Sequence, residues 1–323
     1  MTITFSNFNK SLNKYFLCEN KPHIVVGVSG GPDSIALTFI LNKWIKKNKG
    51  TLTALIVDHK IREDSYFESL DTKKFLDFHK INNKILAVSR KKVLKGQMNQ
   101  ARNNRFNVIT NYCKINKIFH VFLGHHFDDN IETFLLRKIA GSNFEGLNCM
   151  HDVSIYKNIQ IIRPFLAFSK KEILSFNKKF NLKYINDPSN YSVKYSRSIV
   201  RKYLYDDKYI FNKVIKDFNL IRNNYFQYKK MVFQIFNLVA KEIRLNKIIL
   251  DIKKLLRLEY ELQVKLVDIS FKFLNNNKFK VRYKKIEDII KIIEKPLNVS
   301  FKMQNIFIKK NDDSNIVILS KIK

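Results

Sequence analysis

Val25-Val26-Gly27-Val28-Ser29-Gly30-Gly31-Pro32-Asp33-Ser34-Ile35-Ala36-Leu37 is the stretch from which the fold can be read. Its opening residues are apolar or small and suit a buried strand. Ile35-Ala36-Leu37 start a helix-length apolar pattern that runs to Lys47. The link between them, Ser29 to Ser34, carries two glycines, which let backbone N–H groups approach an anion with no Cβ in the way. The helix start adds unpaired N–H donors at the positive end of its dipole. Ser29 and Ser34 offer hydroxyls to phosphate oxygens, and Asp33 can hold a Mg²⁺ ion that is itself bound to phosphate. The string is neither a Walker A loop, which needs Gly-Lys-Ser/Thr, nor a dinucleotide fingerprint. A plain glycine turn with Asp33 or Ser34 as N-cap is the structural alternative.

Around this stretch, strand-like runs recur at His23–Val28, Thr51–Val57, Lys84–Val88 and Lys117–Leu123. Helix-length patterns lie at Ser34–Lys47, Tyr66–Lys80, Asn99–Lys114 and Asp129–Ala140. Near-continuous apolar strands suit a sheet covered on both faces. Four βα units in a row predict an α/β fold with a doubly wound parallel sheet and right-handed crossovers. Ligands in such sheets sit at the carboxyl ends of the strands.

After Asn148 the pattern changes. A strand is expected at Ile159–Ile162, followed by Arg163-Pro164, and a helix at Ser169–Phe180 with Ser169 as N-cap and Glu172 three residues on. Asp187-Pro188-Ser189-Asn190 signals a turn. From Asp206 to Ile243 the pattern is long, helical and basic; Leu250–Asn275 is mostly helical. Leu297–Phe301, Asn305–Lys309 and Asn315–Ser320 suggest a small strand-rich end. The expected division is 1–205 for the α/β catalytic domain, 206–275 for a basic helical region and 276–323 for a small α+β module.

The 323-residue chain carries a net charge of +32, which calls for a polyanionic partner, nucleic acid or an acidic membrane surface. All eight glycines precede residue 147. Residues 1–150 carry net +11 and residues 151–323 net +21. The Lys-, Asn-, Ile- and Phe-rich composition is that of an AT-rich genome, which discounts part of the charge. Cys18, Cys113 and Cys149 have no paired spacing, so a disulfide framework and a Cys-based metal site are not indicated. No apolar run approaches the roughly 20 residues of a membrane span, and the N-terminus has no signal-peptide pattern. A soluble, cytoplasmic protein is the expectation.

Charged clusters stand after the second and fourth strands. Val57-Asp58-His59-Lys60-Ile61-Arg62 is the first. Leu123-Gly124-His125-His126-Phe127-Asp128-Asp129-Asn130-Ile131-Glu132-Thr133, leading to Arg137, is the second. Asp129 and Glu132, three apart, share a helix face and can converge on one cation, Mg²⁺ or an ammonium. Asp128 and Asp129 equally suit a helix N-terminus through its dipole. A transition-metal site with His125 and His126 is disfavoured, because adjacent side chains on an extended strand point to opposite faces.

Ser29–Ser34 resembles the phosphate loop of the N-type ATP pyrophosphatases, the PP-loop family with its adenine nucleotide α-hydrolase-like fold. Together with Val57-Asp58-His59 and Arg62, Ala101–Phe106, Gly124–Arg137, Arg163-Pro164-Phe165-Leu166, and Asp187–Asn190 followed by Arg197 and Arg201, it resembles the tRNA(Ile)-lysidine synthases within that family. Lys60, Ile61, Ala140, Asn143 and Ser198 depart from the family's usual pattern. The alternatives are another tRNA-modifying member of the family, such as a thiolase, or a non-catalytic RNA-binding relative. Thiolases of the family use catalytic or cluster-binding cysteines, which match no motif here.

The resemblance implies ATP and Mg²⁺ as cofactors, and CAU-anticodon tRNA(Ile) and free L-lysine as partners. It implies ATP binding by Ser29, Gly30, Gly31, Pro32, Asp33 and Ser34, with Asp33 on the metal. Asp33, Asp129 and Glu132 would be the catalytic residues. His59, Arg62, Arg102, Arg105, His126, Arg163, Arg197 and Arg201 would contact substrate or tRNA. Tyr203, Tyr205, Tyr209, Phe211, Tyr225, Phe226 and Tyr228 suit either an RNA surface or a helical core. The oligomeric state is open, a homodimer included.

Overall fold

The first βα unit settles the architecture. In a computed structural model of the chain, which describes residues 2–58, 65–87, 97–185, 196–275 and 281–322, β1 (His23–Val28) feeds directly into α2 (Pro32–Lys47), after an N-terminal helix α1 (Phe5–Leu12). The chain continues through β2 (Thr51–Asp58), α3 (Ser65–Phe78), β3 (Asn83–Ala87), α4 (Gln97–Ile115), β4 (His120–Phe122) and α5 (Phe127–Ile139). Then follow α6 (Phe144–Leu147), β5 (Val153–Tyr156), β6 (Ile159–Ile162), α7 (Lys170–Lys179), α8 (Ser196–Asp206) and α9 (Lys208–Val239). Residues form two compact units, Met1–Ile221 and Arg222–Lys323.

The sheet of the first unit has the order β3-β2-β1-β4-β6-β5; all neighbours pair in parallel except β5, which is antiparallel to β6. β1 shows why the fold is doubly wound. Ile24, Val26 and Val28 pack with Phe8, Leu37, Ile40 and Phe176, whereas Val25 packs with Leu55, Ile109 and Val121. Both faces of β1 are therefore dry, as parallel strands require. The order reverses between β1 and β4, because the crossover from β1 leads to β2 on one side and β4 lies on the other. That switch point opens a crevice at the strands' carboxyl ends.

The expected βα units are all present, with shifts of a few residues. The fourth strand is shorter than its apolar run because Lys117 adopts a left-handed conformation, φ 55°, so the run begins in a turn. Two elements give weak sequence signals. Helix α1 is capped by Thr4, whose hydroxyl accepts from the Asn7 N–H, and it buries only Phe8 and Leu12. The β5–β6 hairpin turns through Lys157 and Asn158, both at positive φ, without the glycine that usually announces such a turn.

The second unit contains β7 (Ala240–Arg244), β8 (Lys247–Asp251), α10 (Ile252–Leu256), α11 (Tyr260–Leu274), α12 (Tyr283–Glu294), β9 (Val299–Met303), β10 (Ile306–Asn311) and β11 (Ile316–Lys321). Its antiparallel sheet runs β7-β8-β11-β10-β9. Ile248, Leu250, Ile308 and Leu319 pack against Val264, Phe271, Ile286, Ile290 and Ile293. The expected helix to Ile243 is a correction: it stops at Val239, and Ala240 begins a strand. Ile248 and Leu250 alternate with half-buried neighbours, so a strand period takes over with no glycine or proline to mark the change. No helix among the described residues is long and apolar enough to cross a membrane.

Candidate functional site

Two helix starts meet at the switch point. Pairing of Val26 with Phe122 sets the β1–α2 loop beside the β4–α5 loop. The two are in close contact: a Cβ on Gly124 would lie 3.1 Å from the backbone carbon of Asp33 and 3.2 Å from the Ser34 nitrogen. Gly124 is small because the first turn of α2 passes against it.

In the first loop, Gly30 has φ +79° and its carbonyl accepts from the Ile185 N–H at 2.9 Å. A Cβ there would stand 2.5 Å from Thr72 Oγ1, so only glycine fits. Gly31 is the N-cap of α2 and supplies no side-chain cap, which leaves the first N–H groups to an incoming anion. Pro32 occupies the first turn, and its carbonyl accepts from Asn177 Nδ2 at 2.9 Å. Ser34 Oγ accepts from the Ser29 N–H at 3.2 Å, lies 3.3 Å from Ser29 Oγ, and donates to the Gly31 carbonyl at 3.0 Å. The serines thus brace the loop while their hydroxyls line it.

The second loop is closed by its own side chains. Asp129 Oδ2 accepts from the His126 N–H at 3.0 Å, capping α5. The His126 imidazole, 5% exposed, lies 3.5 Å from Asp128, 3.6 Å from Asp129 and 4.0 Å from Asp33. Burial works against its charged form, but the bond with Asp128 and the charges of Asp129 and Asp33 outweigh it, and its pKa is raised. Asp128 is also buried, yet His126, the Tyr205 hydroxyl and the Lys170 N–H bring its pKa down to about 2. Asp129 is lowered too: burial opposes this, and His126 and His125 prevail. The mouth of the crevice therefore holds negative charge next to an imidazole whose charged form those carboxylates favour.

Asp129 and Glu132 do share a helix face, but they have different partners. Glu132, 1% exposed, receives both Nε and Nη2 of Arg201, at 2.7 and 3.1 Å. That bond raises the Arg201 pKa. Arg197 Nη2 donates to Thr133 Oγ1 at 3.2 Å, and Thr133 Oγ1 donates to the Asp129 carbonyl at 2.6 Å. Tyr205 donates to Asp128 Oδ1. Arg197, Arg201 and Tyr205 are four apart, so one stripe of α8 clasps α5. Tyr205 was legible as an aromatic, and its spacing from the two arginines is the signal that would have added it to the site.

Lys170 is the residue that sequence reasoning missed. Its ammonium lies 2.5 Å from Asp33 Oδ1, and its N–H donates to Asp128 Oδ2 at 2.7 Å. No linear pattern joins residues so far apart. Arg163 is buried and donates to the His151 carbonyl at 3.0 Å and to Ser154 Oγ at 2.9 Å, so it ties β5 to β6 within the fold. Arg105 is on the exposed side of α4. His59, Arg62, Asp187–Asn190 and the side chain of Arg102 lie outside the described residues. Of the departing positions, Asn143 caps α6 by accepting from the Gly146 N–H at 3.0 Å. Tyr203, Tyr209 and Phe226 are exposed, whereas Tyr228 packs on the core of the second unit. The three cysteines belong to three different apolar clusters.

The chain is similar to several known proteins. The PP-loop domain family model matches residues 4–208. A tRNA(Ile)-lysidine synthase of Orientia tsutsugamushi is 35% identical over 61% of this chain and 45% of its own length. That of Wolbachia pipientis is 30% identical over 91% of this chain and 70% of the relative, and that of Rickettsia bellii 27% identical over 97% and 73%. Among solved structures, the U34-tRNA thiolase NcsA from Methanococcus maripaludis with its [4Fe-4S] cluster superposes with a TM-score of 0.57 at 19% identity, over 68% of this chain and 78% of the thiolase, a likeness of fold. The chain belongs to the PP-loop family and, within it, to the tRNA(Ile)-lysidine synthases.

Proposed function

We propose that the protein joins free lysine to the wobble cytidine of a CAU-anticodon tRNA(Ile), using ATP. The observation that carries this reading is the pairing of an uncapped, glycine-lined helix start at Gly31 with a carboxylate-bearing helix start at Asp129. The cytidine C2 oxygen attacks the α-phosphate of ATP, forming an O–P bond and releasing pyrophosphate. The ε-ammonium of lysine gives its proton to solvent, the neutral amine attacks C2, and the C–O bond to AMP breaks.

Ser29, Gly30, Gly31, Pro32, Asp33 and Ser34 hold the pyrophosphate portion, which is the leaving group of the first step. Mg²⁺ fits here as a passenger of the triphosphate. Among the described residues Asp33 offers one carboxylate, too few donors for an all-protein site but suited to an ion that keeps phosphate ligands. When bound, Mg²⁺ would neutralise charge on the leaving group. Asp129, 16% exposed at its side chain and kept ionised, holds the lysine cation; its low pKa makes it a weak proton acceptor. Glu132 acts through Arg201 and fixes α8. Basic residues of 206–275 and 276–323, with exposed Tyr203, Tyr209 and Phe226, would grip tRNA.

Incubation with ATP, radiolabelled lysine and CAU tRNA(Ile) tests the reading. Label in the tRNA together with AMP formation is the expected result, and absence of both overturns it. Binding to tRNA should weaken steeply with salt, since each neutralised phosphate releases counterions.

A further inference from the structure

Lys170 does not owe its place to chance exposure. Its helix is closed by its own cap and tied to the rest of the domain by two hydrogen bonds. Ser169 N–H and Oγ both donate to Glu172 Oε2, at 2.8 and 2.7 Å. The Lys170 N–H is bound to Asp128, and Asn177 is bound to the Pro32 carbonyl. Ile173 and Phe176 are buried in the core below β1. A rigid mount therefore aims the Lys170 stem into the phosphate loop from a helix far along the chain.

The pair that results is about a third open to water: the side chains of Lys170 and Asp33 are 34% and 27% exposed. An ion pair so exposed adds little to fold stability, on the order of 0–1 kcal/mol. Its electrostatic effect on the loop is larger. Asp33 is a carboxylate in the mouth of an anion-binding helix start, and unneutralised it would repel a triphosphate. Among the described residues the other cationic group near Asp33 is His126, at 4.0 Å, which is shared with Asp128 and Asp129.

We infer that Lys170 is a further phosphate-binding residue, stationed on Asp33 while the loop is empty and transferred to a phosphate oxygen when Mg²⁺-bound ATP enters. The inference rests on the ATP reading of Ser29–Ser34. Lys170 exchanges one anionic partner for another, so its ammonium is never left unpaired in the crevice. Asp33 becomes available to a cation only as the triphosphate arrives. The flexible stem and compact charge of lysine suit such an exchange better than a planar guanidinium does.

Calorimetric titration of the full chain with ATP, with and without Mg²⁺, tests it, alongside Mn²⁺ binding to the nucleotide-free protein followed by electron paramagnetic resonance. Lys170→Met should weaken Mg²⁺-dependent ATP binding about tenfold, the scale of one charge-assisted bond. The same substitution should tighten Mn²⁺ binding several-fold, because Asp33 loses its competitor, and Lys170→Met with Asp33→Asn should abolish that gain. Lys170→Arg should restore most of the ATP affinity. Lys170→Gln serves if the methionine variant does not fold. Unchanged ATP and Mn²⁺ affinities, with only a lower melting temperature, would reduce Lys170 to a brace and overturn the inference. Failure of the wild-type chain to bind ATP would instead remove the loop reading on which it rests.

Discussion

The starts of α2 and α5 are neighbours at the same edge of the same sheet, and they are finished in opposite ways. Helix α2 begins at Gly31 with no side-chain cap, so its first N–H groups and dipole face the crevice, and the carboxylate of its first turn, Asp33, is paired with the Lys170 ammonium. Helix α5 begins at His126 with Asp129 folded back onto its N–H, and Asp128 in its first turn. One backbone device thus serves as an anion cradle or as a holder of negative charge, and what decides is whether the first-turn carboxylate caps its own helix, as Asp129 does, or is paired with a cation from another helix, as Asp33 is. On the proposed function, the two reactants have opposite charge, a triphosphate and an ammonium, and such a pair of neighbouring surfaces would receive them.

The largest effect should come from closing the anion cradle. Gly30→Ala must place a Cβ 2.5 Å from Thr72 Oγ1 at φ +79°. Relieving strain of about 1–3 kcal/mol must shift the loop out of its anion-binding shape, and restoring that shape on binding corresponds to roughly fivefold to 150-fold weaker ATP binding, measurable by calorimetry. Gly31→Ala is the contrast, since its Cβ would meet nothing closer than Ser29 Oγ at 3.6 Å and its φ is −73°. Its melting temperature should stay near that of wild type.

Next comes the charge held at α5. The Asp128 carboxyl, at about 2 in the folded protein, lies below its ordinary value. Its contribution is therefore present above about pH 4 and is lost as pH falls toward 2; it amounts to about 2 kcal/mol. Asp128→Asn should lower stability at neutral pH, and denaturant titrations should show the difference from wild type shrinking below pH 4. A constant difference down to pH 2 would contradict the assigned cause. Tyr205→Phe removes one of the bonds that hold Asp128 ionised and should cost about 1 kcal/mol by the same titration. The smallest effect concerns a third helix start, outside the crevice: Asn143→Gly removes the cap of α6 and should cost only a few tenths of a kcal/mol.

The anion cradle was open to reading in advance because its parts are contiguous: strand, glycines, serines and helix lie within Val25–Leu37. The α7 start was legible for the same reason, Ser169 and Glu172 being three apart and forming the expected reciprocal cap. The polar clasp was not. Asp129 and Glu132 announce a shared face, but the sequence does not reveal that Arg201 already occupies Glu132, nor that Lys170 sits on Asp33. These pairs are made by the order of strands in the sheet and by the packing of α7 and α8, which no local spacing encodes. Arg163 illustrates the same point: the resemblance implies a substrate or tRNA contact, and local spacing does not reveal that its guanidinium also bonds to Ser154 of β5.

Separating the two chemical steps in Asp129→Asn tests the division of labour between the two helix starts most directly. Pyrophosphate release with CAU tRNA(Ile) reports the first step, and transfer of radiolabelled lysine reports the second. Pyrophosphate release should persist while lysine transfer falls by at least about tenfold, the scale of one lost charge-assisted bond. Both steps intact in Asp129→Asn would contradict the assignment of the α5 start to the amine.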